Sequence, residues 1–260
     1  MENIFNPARF GSLLNKHFRE HLRMYLMSLL VFGAAILAIF IFLISNSNTL
    51  SLSIGAQFAV CSISLLLGMF IFTGNIFSDY NHSRSAFTAT MLPASIFEKY
   101  LLYWLVSLIG FTIFALGAYH LSQGIVLEYI KNHGAETSRF LVWNEAKGVL
   151  PFKWMLIIYL SVHSIAFLGA ISFRKKTVIV TALVSFTLIS AYVYLNYRLS
   201  LVVLSGNSVP FPFVPVSIST ADGWVQVDHS NSELWATITL STIIILFWIC
   251  AFFKLKERQV

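Results

Sequence analysis

Six apolar runs constrain this chain more than anything else in it. They cover about Met24 to Ile44, Gly55 to Phe77, Tyr100 to Leu121, Trp154 to Ser172, Thr177 to Leu195 and Leu234 to Phe253. Each falls within the roughly 17 to 25 residues that cross a hydrocarbon core. Only 11% of the residues are charged, against roughly 25% in soluble domains, so a soluble surface cannot be covered. The expectation is an all-α, polytopic membrane protein with six transmembrane helices in a single domain over residues 1–260. The two cysteines, Cys61 and Cys250, both lie inside apolar runs without partner spacing and imply neither a disulfide framework nor a metal site.

An even number of spans puts both termini on one side, and the basic residues choose it. Arg9, Lys16, Arg19, Arg23, Arg84, Lys99, Arg174, Lys175, Lys176, Lys254, Lys256 and Arg258 fall on the side of the termini. Only Lys131, Arg139, Lys147, Lys153 and Arg198 fall on the other. The positive-inside rule therefore predicts cytoplasmic termini. The formal net charge of +6 is read as this orientation signal, not as a nucleic-acid site, because the cations sit in the gaps between apolar runs.

Before the first span, Asn6 is a good N-cap and Pro7 suits the first helical position. Phe10, Leu13, Leu14, Phe18, Leu22 and Tyr25 recur on one face, while Arg9, Lys16, Arg19 and Arg23 share the other with Ser12, Asn15 and Glu20. This pattern predicts an amphipathic interfacial helix over residues 6–23, lying along the lipid headgroups. An anchor for the first span and a contact for a partner are both compatible with it.

On the far side, residues 123–153 form a longer connection broken at Asn132-His133-Gly134. Residues 197–233 are expected to be irregular and re-entrant: Pro210, Pro212 and Pro215 exclude a regular helix, and Leu199 to Leu204 is apolar but too short to cross. Ser217 to Thr220 and Trp224 to Val227 flank Ala221-Asp222-Gly223, the pattern of a small hairpin.

The chain has no GxxxxGK[ST] loop, no HExxH, no paired Cys-x-x-Cys and no GxSxG elbow. No cofactor is expected, and work that needs nucleotide hydrolysis falls to another chain. No Asp, Glu, Lys or Arg lies in the middle of a span, which argues against an ion-coupled carrier. His163 is the one ionisable residue near the centre of a span. It reads either as a neutral histidine bonded to a neighbouring helix or as an intramembrane site for substrate or protons. Small residues such as Gly33, Gly68 and Gly74 form strips that suit close helix packing, within one subunit or between two.

Between the second and third runs lies a polar island, Ser78 to Tyr100. Leu92 precedes Pro93 and is biased away from helix, and Ser95 with Glu98 has the spacing of a capping box. A new helix is therefore expected to start at Ser95 and run into the third span. The segment Met91-Leu92-Pro93-Ala94-Ser95-Ile96-Phe97-Glu98-Lys99 resembles the "LLP-[AVL]-S…E" entry to the third span of ABC-2 type transporter permeases. The layout of amphipathic helix, six spans and polar corner resembles that family along nearly the whole chain.

The resemblance implies a membrane-spanning subunit of an ATP-binding cassette exporter in the bacterial inner membrane. It would work as a homodimer, or as a heterodimer with a related permease, beside a separate ABC ATPase subunit. It would also place Asp79, Tyr80, His82, Arg84, Phe87, Pro93, Ser95, Glu98 and Lys99 in the region that contacts that ATPase (residues 78–99), with the interfacial helix nearby. The other readings are a non-transport integral membrane protein for assembly or sensing, and an intramembrane enzyme, for which His163 alone supplies too little chemistry.

Overall fold

A computed structural model of the chain describes residues 5–46, 52–77, 94–133, 152–173, 175–203, 208–209, 216–220, 223–227 and 232–258. Its helices are α1 (Pro7–Ser45), α2 (Ile54–Asn75), α3 (Ile96–Asn132), α4 (Phe152–Ser172), α5 (Thr177–Val203) and α6 (Ser232–Arg258). All six are long and apolar enough to cross a membrane. The protein is an all-α, multi-pass membrane protein, with one small sheet between α5 and α6.

The N-terminal segment differs from the expected separate interfacial helix. α1 is one uninterrupted helix of 39 residues, about 58 Å at 1.5 Å per residue, with no break at Met24. The junction Leu22-Arg23-Met24-Tyr25-Leu26 holds no Gly, Pro or Asn, so local propensity carries the helix straight on. Its start is as expected: the Asn6 side chain accepts from the N–H groups of Ala8 (3.0 Å) and Arg9 (3.4 Å), and Pro7 opens the first turn.

The buried packing divides into two clusters, one towards each end of the bundle. One gathers Leu13 of α1, Ile76 and Phe77 after α2, Leu102 and Tyr103 of α3, Phe167 and Ile171 of α4, and Leu255 of α6. The other gathers Ile36 and Phe40 of α1 with Cys61, Leu65 and Met69 of α2 and Tyr119 and Ile130 of α3. α4 lies against α2 and α6, and α1 rests chiefly on α3 and only lightly on α2.

Apolar side chains gain little by leaving lipid for one another, so close packing has to come from small residues and polar pairs. A Cβ on Gly68 would lie 2.7 Å from the rings of Phe111 and Phe32, and one on Gly74 would lie 2.8 Å from Val178. A Cβ on Gly169 would collide with the Thr181 side chain of α5. The small-residue positions of α2 and α4 are thus used for contacts within this one chain.

Four residues, 173–176, link α4 to α5, and Lys176 lies in the left-handed region at φ 49°. The helix continues to Val203, so Leu199 to Val203 extends α5 and does not form a separate dip. Beyond it, β1 (Ser208–Val209), β2 (Val216–Thr220) and β3 (Gly223–Val227) form an antiparallel sheet in that order. Ser217 pairs with Gln226 and Thr220 with Gly223, so the expected hairpin is present, with Gly223 in the strand and not in the turn.

Candidate functional site

The corner at the start of α3 is built on one carboxylate. Ser95 caps the helix: its Oγ accepts from the Glu98 N–H at 3.1 Å, and Glu98 Oε2 accepts from the Ser95 N–H at 2.9 Å, completing the capping box. The same carboxylate also reaches α1. Glu98 Oε1 accepts from the Asn6 N–H at 2.8 Å, and the Arg9 guanidinium donates to both oxygens through Nε and Nη2 at 2.8–3.0 Å. Glu98 is therefore held at the N-termini of two helices at once, where both helix dipoles favour an anion.

Its side chain is fully buried while that of Arg9 is 37% exposed. Removing Arg9 would leave the carboxylate to backbone donors alone. Because the guanidinium is partly solvated, the loss comes to about 2 kcal/mol, below the roughly 3–5 kcal/mol of a wholly buried pair.

Rings close the corner around this clasp. Phe5 meets Phe97 edge-on with centroids 6.3 Å apart, and Tyr100 meets Phe252 of α6 at 5.4 Å and Phe167 of α4 at 5.5 Å. The Tyr100 hydroxyl donates to the Trp248 carbonyl at 3.0 Å. The first turns of α1 and α3 and the last turns of α4 and α6 thus form one joined unit.

Of the residues singled out in the island, Ser95, Glu98 and Lys99 belong to this corner, and both Glu98 and Lys99 are buried in it. Asp79, Tyr80, His82, Arg84, Phe87 and Pro93 lie outside the described residues. Of the four cations on the N-terminal helix, Arg9 forms the clasp and Lys16 pairs with Glu20 at 3.8 Å. Arg19 and Arg23 are exposed.

A second polar centre sits deeper, around His163 of α4. The indole of Trp248 can only donate, so its Nε1–H donates to His163 Nδ1 at 3.2 Å. The proton of the neutral imidazole then rests on Nε2 and is donated to Ser107 Oγ at 2.9 Å. Ser107 in turn donates to the Trp104 carbonyl at 3.2 Å. Both ring nitrogens are engaged with neighbouring helices, and His163 ties α4 to α3 and α6.

One turn away, the Tyr159 hydroxyl meets Thr112 Oγ1 at 2.6 Å, and Thr112 also bonds the Leu108 carbonyl. Tyr159 and His163 are four apart and share a face of α4, but Ser107 and Thr112 are five apart. In an α-helix that spacing turns the second side chain roughly 140° away from the first. α3 avoids this through a π-helical turn at Val106–Gly110, whose i→i+5 repeat puts both hydroxyls on the face that meets α4.

Three features escaped sequence reasoning. The Arg9–Glu98 pairing spans 89 positions. His17 is buried and its Nε2 lies 2.7 Å from the Tyr25 hydroxyl. At the other end of the bundle, Gln123 donates to Gln57 Oε1 and the Tyr119 hydroxyl donates to the Gln57 carbonyl at 3.0 Å. The available signal for this last node was two glutamines at the ends of apolar runs, since such amides seek partners across helices. The sequence matches no family model, no curated protein and no solved structure.

Proposed function

We propose that this chain is the membrane-spanning permease subunit of an ABC exporter, and that the corner at Ser95–Glu98 receives motion from a separate ATPase. The observation that carries the proposal is the clasp. Glu98 binds the first turn of α1 and the first turn of α3 together, so a push on the corner moves two membrane-crossing helices as one. The charge distribution, with most cations on the side of the termini, supports placing this corner in the cytoplasm of a bacterial cell. ATP hydrolysis belongs to the partner chain. α5, whose large apolar side chains from Leu183 to Leu199 are uncovered, offers the surface on which a second copy or a related permease would pack.

Purification from the native membrane, followed by measurement of the co-purifying ATPase, tests this. Arg9→Ala, Glu98→Ala and Arg84→Glu are expected to insert normally and to lose most of the stimulation that the permease gives the ATPase. Arg9→Lys, which keeps a donor near the carboxylate, is expected to retain part of it. Repeated purification without any ATPase would overturn the reading. A non-transport assembly or sensing protein is the second reading, favoured by the ordered three-stranded sheet between α5 and α6, and it predicts partner binding without turnover.

A further inference from the structure

The groove between α1, α2 and α3 points to a ligand. It encloses about 770 Å³, within the 300–1,000 Å³ range of small-molecule sites, and it exists because α1 leans on α3 and barely touches α2. Its two ends differ in chemistry. Towards the clasp, His17, His21, Tyr25 and Asn75 line it; the two imidazoles stack at 4.5 Å. Further along, the lining is apolar apart from Ser28, whose hydroxyl donates to the Met24 carbonyl of its own helix, and a ladder of rings forms its floor. Tyr25 meets Phe72 at 5.7 Å, Phe72 meets Phe111 at 5.2 Å and Phe111 meets Phe32 at 6.0 Å.

Gly68 is fitted to that floor, since a Cβ there would strike the rings of Phe111 and Phe32 at 2.7 Å. The open side is bordered by Met24, Met27 and Val31, which are 52%, 60% and 69% exposed. A molecule can thus enter sideways from the bilayer. Among the described residues no carboxylate lines the groove, and Glu20 of α1 is paired with Lys16. Lys16, Arg19 and Arg23 lie on adjoining turns of α1, outside the lining of the groove.

We propose that this groove binds a single-chain amphiphile with an anionic head, a carboxylate or a phosphate, set among His17, His21 and Asn75, and with its alkyl tail along the ring floor. The gradient from hydrogen-bonding to apolar lining runs lengthwise along the groove, as an amphiphile requires, and the long-range field of Arg19 and Arg23 on adjoining turns of α1 favours an anionic head over a cationic one. A diffuse layer of bilayer lipid needs no such polar end. The proposal does not rest on the exporter reading: a groove on one chain binds its ligand whether or not an ATPase is present.

The test is photolabelling of the full-length protein in detergent with a fatty acid carrying a diazirine near the end of its tail. Labels are expected on α1 and α3 near Val31 and Phe111. Unlabelled fatty acid or lysophosphatidic acid should compete, and an alkylamine of equal chain length should compete at least tenfold less well. A fatty acid that competes where lysophosphatidic acid does not, or the reverse, tells a carboxylate head from a phosphate head. Ala35→Trp, which fills the groove, and Met27→Trp at its open edge are each expected to remove most of the labelling. His21→Leu with Asn75→Leu is expected to erase the preference for anions while leaving the fold intact. Equal competition by the amine or by phosphatidylcholine would overturn the proposal in favour of bulk lipid. Labelling unchanged in both tryptophan variants, or α1 cross-linked to a second copy, would overturn it as well.

Discussion

α4 and α5 are neighbours in sequence, joined by a short basic link, and both are long and apolar enough to cross a membrane. Yet 44% of the most apolar stretch of α4 is buried in the protein, against 6% for α5. α4 presents Tyr159 and His163 to α3, His163 also to Trp248 of α6, and Gly169 to α5. α5 contributes Thr177, Val178 and Thr181 at its start. From Leu183 to Leu199 its large apolar side chains, among them Leu183, Phe186, Leu188 and Tyr194, are exposed. The contrast separates two properties that hydropathy merges. Apolarity makes a segment cross the bilayer, and small residues with paired polar groups make it pack.

α4 and α5 approach closely where Gly169 faces Thr181. Gly169→Leu is expected to push Thr181, and α5 with it, away from α4 and to cost about 2–3 kcal/mol, read as a lowered midpoint of unfolding in detergent. Combining Gly169→Ala with Thr181→Gly should recover stability beyond the sum of the two single changes. The Thr181 hydroxyl has no hydrogen-bond partner among the described residues, so Thr181→Gly alone is expected to cost about 1 kcal/mol, the cost of a glycine inside a helix. No destabilisation from the leucine would mean that α5 is not seated on α4 at this point.

The next effect tests the polar half of the argument. His163→Leu removes two interhelical hydrogen bonds and leaves the Trp248 Nε1–H without its acceptor. Interhelical bonds in membranes average about 0.6 kcal/mol with a maximum near 1.7, so a loss of about 1–2 kcal/mol is expected. Trp248→Phe, which removes one bond, should show about half of that. A leucine variant as stable as the parent would reduce His163 to a space-filler.

How far the sequence could be read follows from the same distinction. The six spans were legible because length and apolarity are local, and so were Asn6, Pro7 and the Ser95/Glu98 box, whose partners lie within three residues. Glu98 was legible as a cap but not as the acceptor for Arg9 and the Asn6 N–H, because nothing local ties position 98 to positions 6 and 9. The continuity of α1 was hidden by the change from a charged to an apolar pattern at Met24, which resembles a boundary although the backbone has no reason to stop. The π turn left no mark either, since its cause is the fit between Ser107, Thr112 and the face of α4.

That turn supplies a smaller effect of unusual form. Deleting Ile109, which is 45% exposed, would turn Val106–Gly110 into ordinary α-helix and leave Ser107 four residues from the present Thr112. Both hydroxyls would still face Tyr159 and His163. The deletion is expected to cost under about 1 kcal/mol. Deleting Leu116 from the regular part of α3 should rotate everything after it by roughly 100° and abolish the folded state. Equal damage from both deletions, in yield of monodisperse protein, would refute the idea that the π turn is an inserted residue setting the register of α3 on α4.

The smallest effect belongs to α5. Phe186 is 72% exposed, and truncating a side chain that touches lipid removes no packing within the chain. Phe186→Ala is therefore expected to leave unfolding of the monomer unchanged within about 0.5 kcal/mol. The same variant has a second readout. If a second copy packs on the uncovered face of α5, the monomer–dimer balance in lipid, measured by single-molecule photobleaching, should shift towards monomer even though the monomer is no less stable. An unshifted balance, with Leu183→Ala and Tyr194→Ala behaving alike, would leave this face to lipid and move any subunit contact elsewhere. A loss of monomer stability would show instead that α5 packs against its own chain, and the contrast with α4 would fail.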